Sequence, residues 1–395
     1  MPAITTENSP HGREFVILET PDERAKGWSV SSADLGLATA AFFTIRKQTL
    51  HGGRQEGVEL IEVDQGVLKL TIIPTRGMSL YKVFSGEIEL GWSSPVKEIV
   101  NPAYVELESR GGLGWLDGFN EFLVRCGVEW CGHPGMDNGR LLTLHGRVAN
   151  IPATDVRVTI EEAPPHRIRV GGRVSEQTFK FADYELWAEV STEPGKASFQ
   201  ISDTLTNRSD YEREFQLLYH ANFGPPLLEQ GARLVAAVKQ VAPLDDYAGK
   251  SISTWSEYLG PTKNFGEHVF LLVPFTRPEG TTMVMLKNAA GERGVRVDYE
   301  TKNLPYFSLW KNTDTMKEGY VTGLEPSTSY PYNRSVERKA GRVPKLAAGA
   351  SKSFEVGYQI LFTKAEVDAV EKEIVALQAQ RPTTIESSAE NMKAV

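Results

Sequence analysis

The chain has 395 residues, 41% of them hydrophobic and 24% charged, with a formal net charge of −8 and a pI near 5.6. That length is ample for a large core, and the composition is that of a globular protein. The acidic balance, with no basic run interleaved with aromatics, argues against nucleic acid or an anionic membrane as partner. It leaves room for a few convergent arginines to act locally.

Residues 1–14 are polar and carry two prolines, which predicts a loose arm, and the arm as a whole is taken to residue 29. No apolar stretch of signal-peptide or membrane-span length appears, so the expectation is a cytoplasmic protein. From residue 30 to 363 the chain reads as strands separated by short polar turns. Tyr184, Leu186, Ala188 and Val190 alternate with Glu185, Trp187 and Glu189, then comes the turn Glu193-Pro194-Gly195-Lys196. Ala197, Phe199 and Ile201 alternate after it, which makes the pair an antiparallel hairpin. Similar alternation marks Val156–Ile160, Arg167–Val170, Met283–Leu286, Val295–Tyr299 and Phe354–Phe362. With no helical crossovers between them, these strands belong to an all-β antiparallel architecture, not a parallel α/β one. One amphipathic helix is expected at 365–379, where Val367, Val370, Ile374 and Leu377 recur at helical spacing. The residues after Pro382 have no period and little apolar content, which predicts a disordered tail within 364–395.

One segment departs from the alternation. Residues 101–139 are rich in glycine and aromatics and include Arg110, Trp115, Phe119, Phe122, Arg125 and Trp130. Such an excursion from a sheet either walls a binding site or packs its own aromatics as a satellite core. Rings beside arginines and carboxylates suit a sugar, whose C–H faces stack while its hydroxyls need polar partners. Cys126 and Cys131 stand too close together for more than a very short disulfide loop, and only His133 is near them, so two reduced thiols are expected and no metal.

Three motifs end predicted strands: TLHGRVAN with His145, LLYHANFG with His220, and VTGLEPSTSYP with Glu325. They are too far apart for local metal-ligand spacing. Two histidines and a carboxylate make either a metal triad or an acid/base set. Singly, each has a plain structural explanation: a hydrogen-bonded core histidine, or a turn at Glu-Pro.

Taken in order, the motifs resemble the aldose 1-epimerase (galactose mutarotase-like) family, in a divergent branch. PTRGMSLYKVFSGEIELGW resembles the family's early strand and hairpin, and Leu144-His145-Gly146 its leucine-histidine-glycine-glycine motif, with Arg147 in place of the second glycine. DTLTNRSDYEREFQLLYHANFG, LPYFSLWKN and GLEPSTSYP resemble the later strands that carry a histidine and the catalytic glutamate. His51 lies in a literal Leu-His-Gly-Gly, but before the RGMSL strand, so chain order selects His145.

The resemblance implies a large β-supersandwich and proton traffic at an anomeric carbon, without metal or cofactor. Glu325 would be the base and His220 the acid, with His145 on the ring-oxygen side. Arg76, Trp115, Arg125, Arg147, Asn222 and, weakly, Asp246 (or Asp245) would contact a small sugar. If two or more of Arg76, Arg110, Arg125 and Arg147 face the pocket, that sugar is anionic; if they pair with Asp117, Glu121 or Glu129, they are structural. The readings beside this one are an isomerase or lyase on the same scaffold and a carbohydrate-binding module without turnover. Nothing in the sequence sets an oligomeric state.

Overall fold

The computed structural model describes residues 6–9, 12–19, 23–24, 27–37, 39–379, 381–390 and 392. Among these, two large sheets of 11 and 13 strands face each other. The strands read from alternation are present: Asp183–Thr192 and Ser198–Asn207 form the expected hairpin, with Leu186 opposite Leu205 and Val190 opposite Ile201. Their burial alternates residue by residue, because one face packs against the other sheet while the second stays wetter.

The core lies between the sheets. Phe199 and Tyr358 stack at 4.9 Å from one sheet, and Phe122 meets both edge-on from the other, at 6.1 and 5.7 Å. Pairing in the large sheets is antiparallel, apart from a short parallel contact between Gln240–Val241 and Thr384–Ile385. The helix spans Lys364–Gln378, opened by a Thr363–Glu366 capping box, and it buries Val367, Val370 and Ile374 against Met283 and Met285. Each of those three side chains contributes roughly 1.5–3 kcal/mol of gross burial.

Two expectations at the ends are corrected. Gly12–Glu19, read as part of a loose arm, is a strand paired with Asp155–Ile160, because Phe15 and Ile17 supply a short buried alternation that the polar flanks obscure. Residues 1–5 lie outside the described residues. The segment after Pro382, read as disordered, docks on the body: Thr384–Ile385 adds to a sheet, and Ala389 and Met392 are buried. Arg342 Nη1 donates to the carbonyls of both, at 3.0 and 3.2 Å. A few apolar anchors and a buried arginine hold a stretch that has no period of its own. No helix among the described residues is long and apolar enough to cross a membrane.

Candidate active site

The site stands on the outer face of the 13-stranded sheet. Along Gln216–Phe223, the residues Leu217, Tyr219, Ala221 and Phe223 point into the inter-sheet core, so Leu218, His220 and Asn222 face the other way. The neighbouring strand Val321–Ser327 pairs with Leu218 opposite Ser327 and Ala221 opposite Leu324, which brings His220 abreast of Glu325. Pro326 lacks an N–H, and the ladder opens at that point. His220 Nε2 lies 3.2 Å from Glu325 Oε1, and both side chains are almost wholly buried. The contact is off the line of a hydrogen bond. Glu325 Oε1 is thus left without a hydrogen-bond partner, and so, on the other side of the ring, is His220 Nδ1. Gly323, two residues before Glu325 on the same face, keeps this space open: a Cβ there would stand 2.4 Å from Glu325 Oε1 and 3.2 Å from His220 Cε1.

The glycine-rich excursion forms the roof, with Leu113, Trp115 and Leu116 from its short helical turns and His133 and Pro134 beyond them. The segment packs its aromatics into an apolar cluster, and part of it also lines a cavity. Trp115 and Phe119 lie 4.5 Å apart within a second apolar core that includes Trp92, Val124, Cys126 and Leu218, and the same Trp115 lines the cavity. His145 enters from the side in a left-handed conformation, φ 56°. Its N–H donates to the Gly132 carbonyl at 2.9 Å and its carbonyl accepts from the Gly127 N–H at 3.0 Å. The glycine of Leu-His-Gly has a steric reason: at Gly146 (φ 75°) a Cβ would fall 2.3 Å from the Trp130 carbonyl oxygen. The His145 ring lies 5.3 Å from that of His220 and 4.9 Å from Trp115.

These groups enclose a cavity of about 230 Å³, completed at its rim by Glu267, Val269, Trp310 and Pro331. Trp310 Nε1 donates to Glu267 Oε2 at 2.8 Å, fixing that carboxylate. Burial sets the protonation states. Desolvation, then the charge of Glu267, raises the Glu325 carboxyl well above its ordinary range. Desolvation pushes His220 down to about 4, with Asn222 acting against it. His145 is lowered well below its usual value by burial, then by His220 and His133. Both shifts run toward the neutral forms: a carboxyl that holds its proton more tightly, beside an imidazole with one nitrogen free to accept.

The structure brings together His145, His220, Glu325 and Trp115 of the residues singled out in the sequence. It places the arginines elsewhere. Arg76 is fully buried, with Nε donating to Glu121 at 2.6 Å and Nη1 to the Val100 carbonyl and Asn150; its Nη2 has no partner. Arg125 faces the inter-sheet core and grips Asp203 with two nitrogens, at 2.5 and 2.8 Å. Arg147 reaches Thr178 at 3.2 Å, and Arg110 pairs with Asp117. No arginine or lysine is among the residues lining the cavity. Asn222 sits behind His220, donating to the Glu121 carbonyl at 3.0 Å. Asp246 is exposed in the first turn of a short helix that Asp245 caps through Ala248 N–H, so neither side chain lines the cavity. His51 is exposed and paired with Glu56.

Glu267, Trp310 and His133 are lining residues that the sequence reading passed over as ligands. Register could have found Trp310: Ser308 is opposite Glu325, and Trp310 shares its face. Glu267 stands just before the strand His268–Pro274, where no pattern marks it. Among the described residues no group of three or more His, Cys, Asp or Glu side chains is placed to hold a metal ion. Cys126 and Cys131 are free, buried thiols.

Residues 55–360 match the model of a domain of unknown function, DUF4432. The chain belongs to the DUF4432 family. It is 43% identical to a candidate aldose 1-epimerase from Klebsiella pneumoniae, over 95% of this chain and 98% of that one, with a TM-score of 0.93. The fold extends to a galactose mutarotase-like protein of Clostridium acetobutylicum, at 14% identity and a TM-score of 0.53 over 82% and 99% of the two chains. It extends likewise to galactose 1-epimerase of Lactobacillus acidophilus, at 11% identity and 0.51 over 81% and 99%. No curated protein matches this DUF4432 chain. Its architecture is the galactose mutarotase-like β-sandwich, and the resemblance read from its motifs is to the group these solved structures represent.

Proposed function

We propose that this DUF4432 protein is an isomerase that interconverts the anomers of a free aldose by opening and reclosing its ring at C1. The observation that carries this reading is the buried Glu325–His220 pair, 3.2 Å apart at the floor of a cavity, with a proton to give, a site to receive one, and unpartnered atoms on both groups. Ring opening takes the proton of the C1 hydroxyl, breaks the bond between C1 and the ring oxygen, and delivers a proton to that oxygen. Rotation about C1–C2 and the reverse transfers then give the other anomer.

The protonation at rest refines the roles implied by the motifs. Glu325 begins as the donor and His220 as the acceptor; in reclosure each does the opposite, so Glu325 is base and His220 acid in that half. The sequence returns both groups to their starting state. Each is worth on the order of 10²–10⁴ in rate. His145 would hydrogen-bond the ring-oxygen side, Trp115 and Trp310 would stack on the sugar, and the fixed Glu267 carboxylate would accept from its hydroxyls. A lining with the Glu267 carboxylate, the Glu325 carboxyl and no arginine or lysine supports an uncharged sugar over an anionic one.

Proton exchange NMR with a panel of neutral and acidic reducing sugars tests this. Accelerated anomer exchange is expected with a neutral aldose. It should fall by about two to four orders of magnitude in Glu325→Gln and stay unchanged in His51→Asn. Full activity of Glu325→Gln on the sugar that the wild type turns over would sink the mechanism. Saturable binding without exchange would make the protein a carbohydrate-binding module.

A further inference from the structure

His145 is fixed by its backbone, yet its side chain still has two tautomers, and only one presents a hydrogen at Nε2. A neutral imidazole carries its single hydrogen on one nitrogen, chosen by what the other nitrogen meets. Here Nδ1 meets a thiol: Cys131 Sγ lies 3.8 Å away, and both residues are buried. We propose that Cys131 is a positioning residue, whose S–H donates to His145 Nδ1 so that Nε2 holds the ring hydrogen and offers it to the cavity.

The direction of that bond follows from the chemistry of its two ends. Burial, first, holds the His145 imidazole well below its usual range, so the ring is neutral, and a neutral imidazole nitrogen is a good acceptor whereas a thiol sulfur is a weak one. The hydrogen of this contact therefore lies with Cys131 and points at Nδ1. Cys126, on the strand Leu123–Val128, is fully buried in the same apolar core and helps keep water away. A thiol is a weak donor, but a dry surrounding strengthens the link and leaves no water to compete. A donor at Nε2 suits an oxygen that gains charge as the ring opens. That last step rests on the anomer-interconversion reading, whereas the tautomer itself does not.

The test reads the tautomer without sugar, by long-range ¹H–¹⁵N NMR of the imidazoles, with His145 assigned by loss of its signals in His145→Asn. The wild type should show hydrogen on Nε2 and a pyridine-like Nδ1. Cys131→Ser, which keeps a donor, should retain that pattern. Cys131→Ala should lose it, and Cys131→Val, closer in volume and also without a donor, serves if the alanine variant unfolds. On the substrate, kcat should fall about ten- to a hundredfold without the donor and recover in the serine variant, with KM little changed. Hydrogen on Nδ1 in the wild type, or an unaltered Nε2–H in both donor-free variants, overturns the proposal. Because the spectra need no turnover, that outcome is distinct from a failure of the epimerase reading.

Discussion

Tyr219 and His220 are consecutive residues on one strand, and they lead to two buried polar clusters of opposite character. Tyr219 turns inward, where its hydroxyl donates to Asp203 at 2.9 Å beside Arg125. Arg125 donates from Nε, Nη1 and Nη2, to Asp203 and to the Met78 carbonyl, and both Asp203 oxygens accept. Burial pulls the guanidinium down and Asp203 more than restores it, so Arg125 stays charged. His220 turns outward to Glu325, at equal depth, but there atoms are left unbonded and burial drives both groups to their neutral forms. Burial is common to the two clusters. Unsatisfied hydrogen-bonding capacity beside a cavity is not, and it is the ground on which the proposed function rests.

Three measurements sharpen or break this contrast. Arg125→Ala strands a buried Asp203 and should destabilise the protein by about 3–5 kcal/mol in urea unfolding. A mild effect would mean the inner cluster is less closed than its bonds indicate. In the outer cluster His220 should instead lower stability in acid, while Glu325, its carboxyl raised by burial, acts in the opposite sense. Native His220 takes up its proton only near pH 4, whereas the unfolded chain does so near 6.5. The unfolded state therefore binds more protons between those values, and stability falls as pH drops through them. His220→Gln removes this term, so the wild type should lose roughly 3 kcal/mol more than the variant from pH 6.5 to 4. Parallel losses would show that His220 is not held neutral. The smallest change is Gly323→Ala, which intrudes on Glu325 Oε1. It should lower turnover about a hundredfold by displacing the pair while moving the urea midpoint little.

Much of the fold is legible in the sequence because half-buried strands write their faces as alternation, as Asp183–Thr192 and Ser198–Asn207 do. The floor of the site is less so, since Gln216–Phe223, Leu123–Val128 and Val321–Ser327 are buried along their whole length. There every residue looks like core, and only cross-strand register tells which side chains share a face. Arg125 shows the consequence. It belongs to the same strand as Val124, which packs under the site, yet one step along the chain sends it to the opposite side of the sheet. Arg76 and Asp246 fail for related reasons: a nearby carboxylate takes the first, and a helical turn exposes the second. His145, His220 and Glu325 were reachable through motif order, which stands in for the three-dimensional arrangement that spacing cannot supply.

The roof of the cavity comes largely from one stretch of chain, packed on an apolar core that it shares with Val124, Leu218 and Val321 of the floor, while the floor itself is assembled from strands in distant parts of the sequence. The residues of the roof that face the cavity can therefore change while the strand ladders of the floor stay as they are. Rewriting a single short stretch of gene alters what covers the Glu325–His220 pair without touching the ladders that hold it. Exchanging residues 113–116 for those of a relative would reshape what the cavity admits and leave Glu325 and His220 in place.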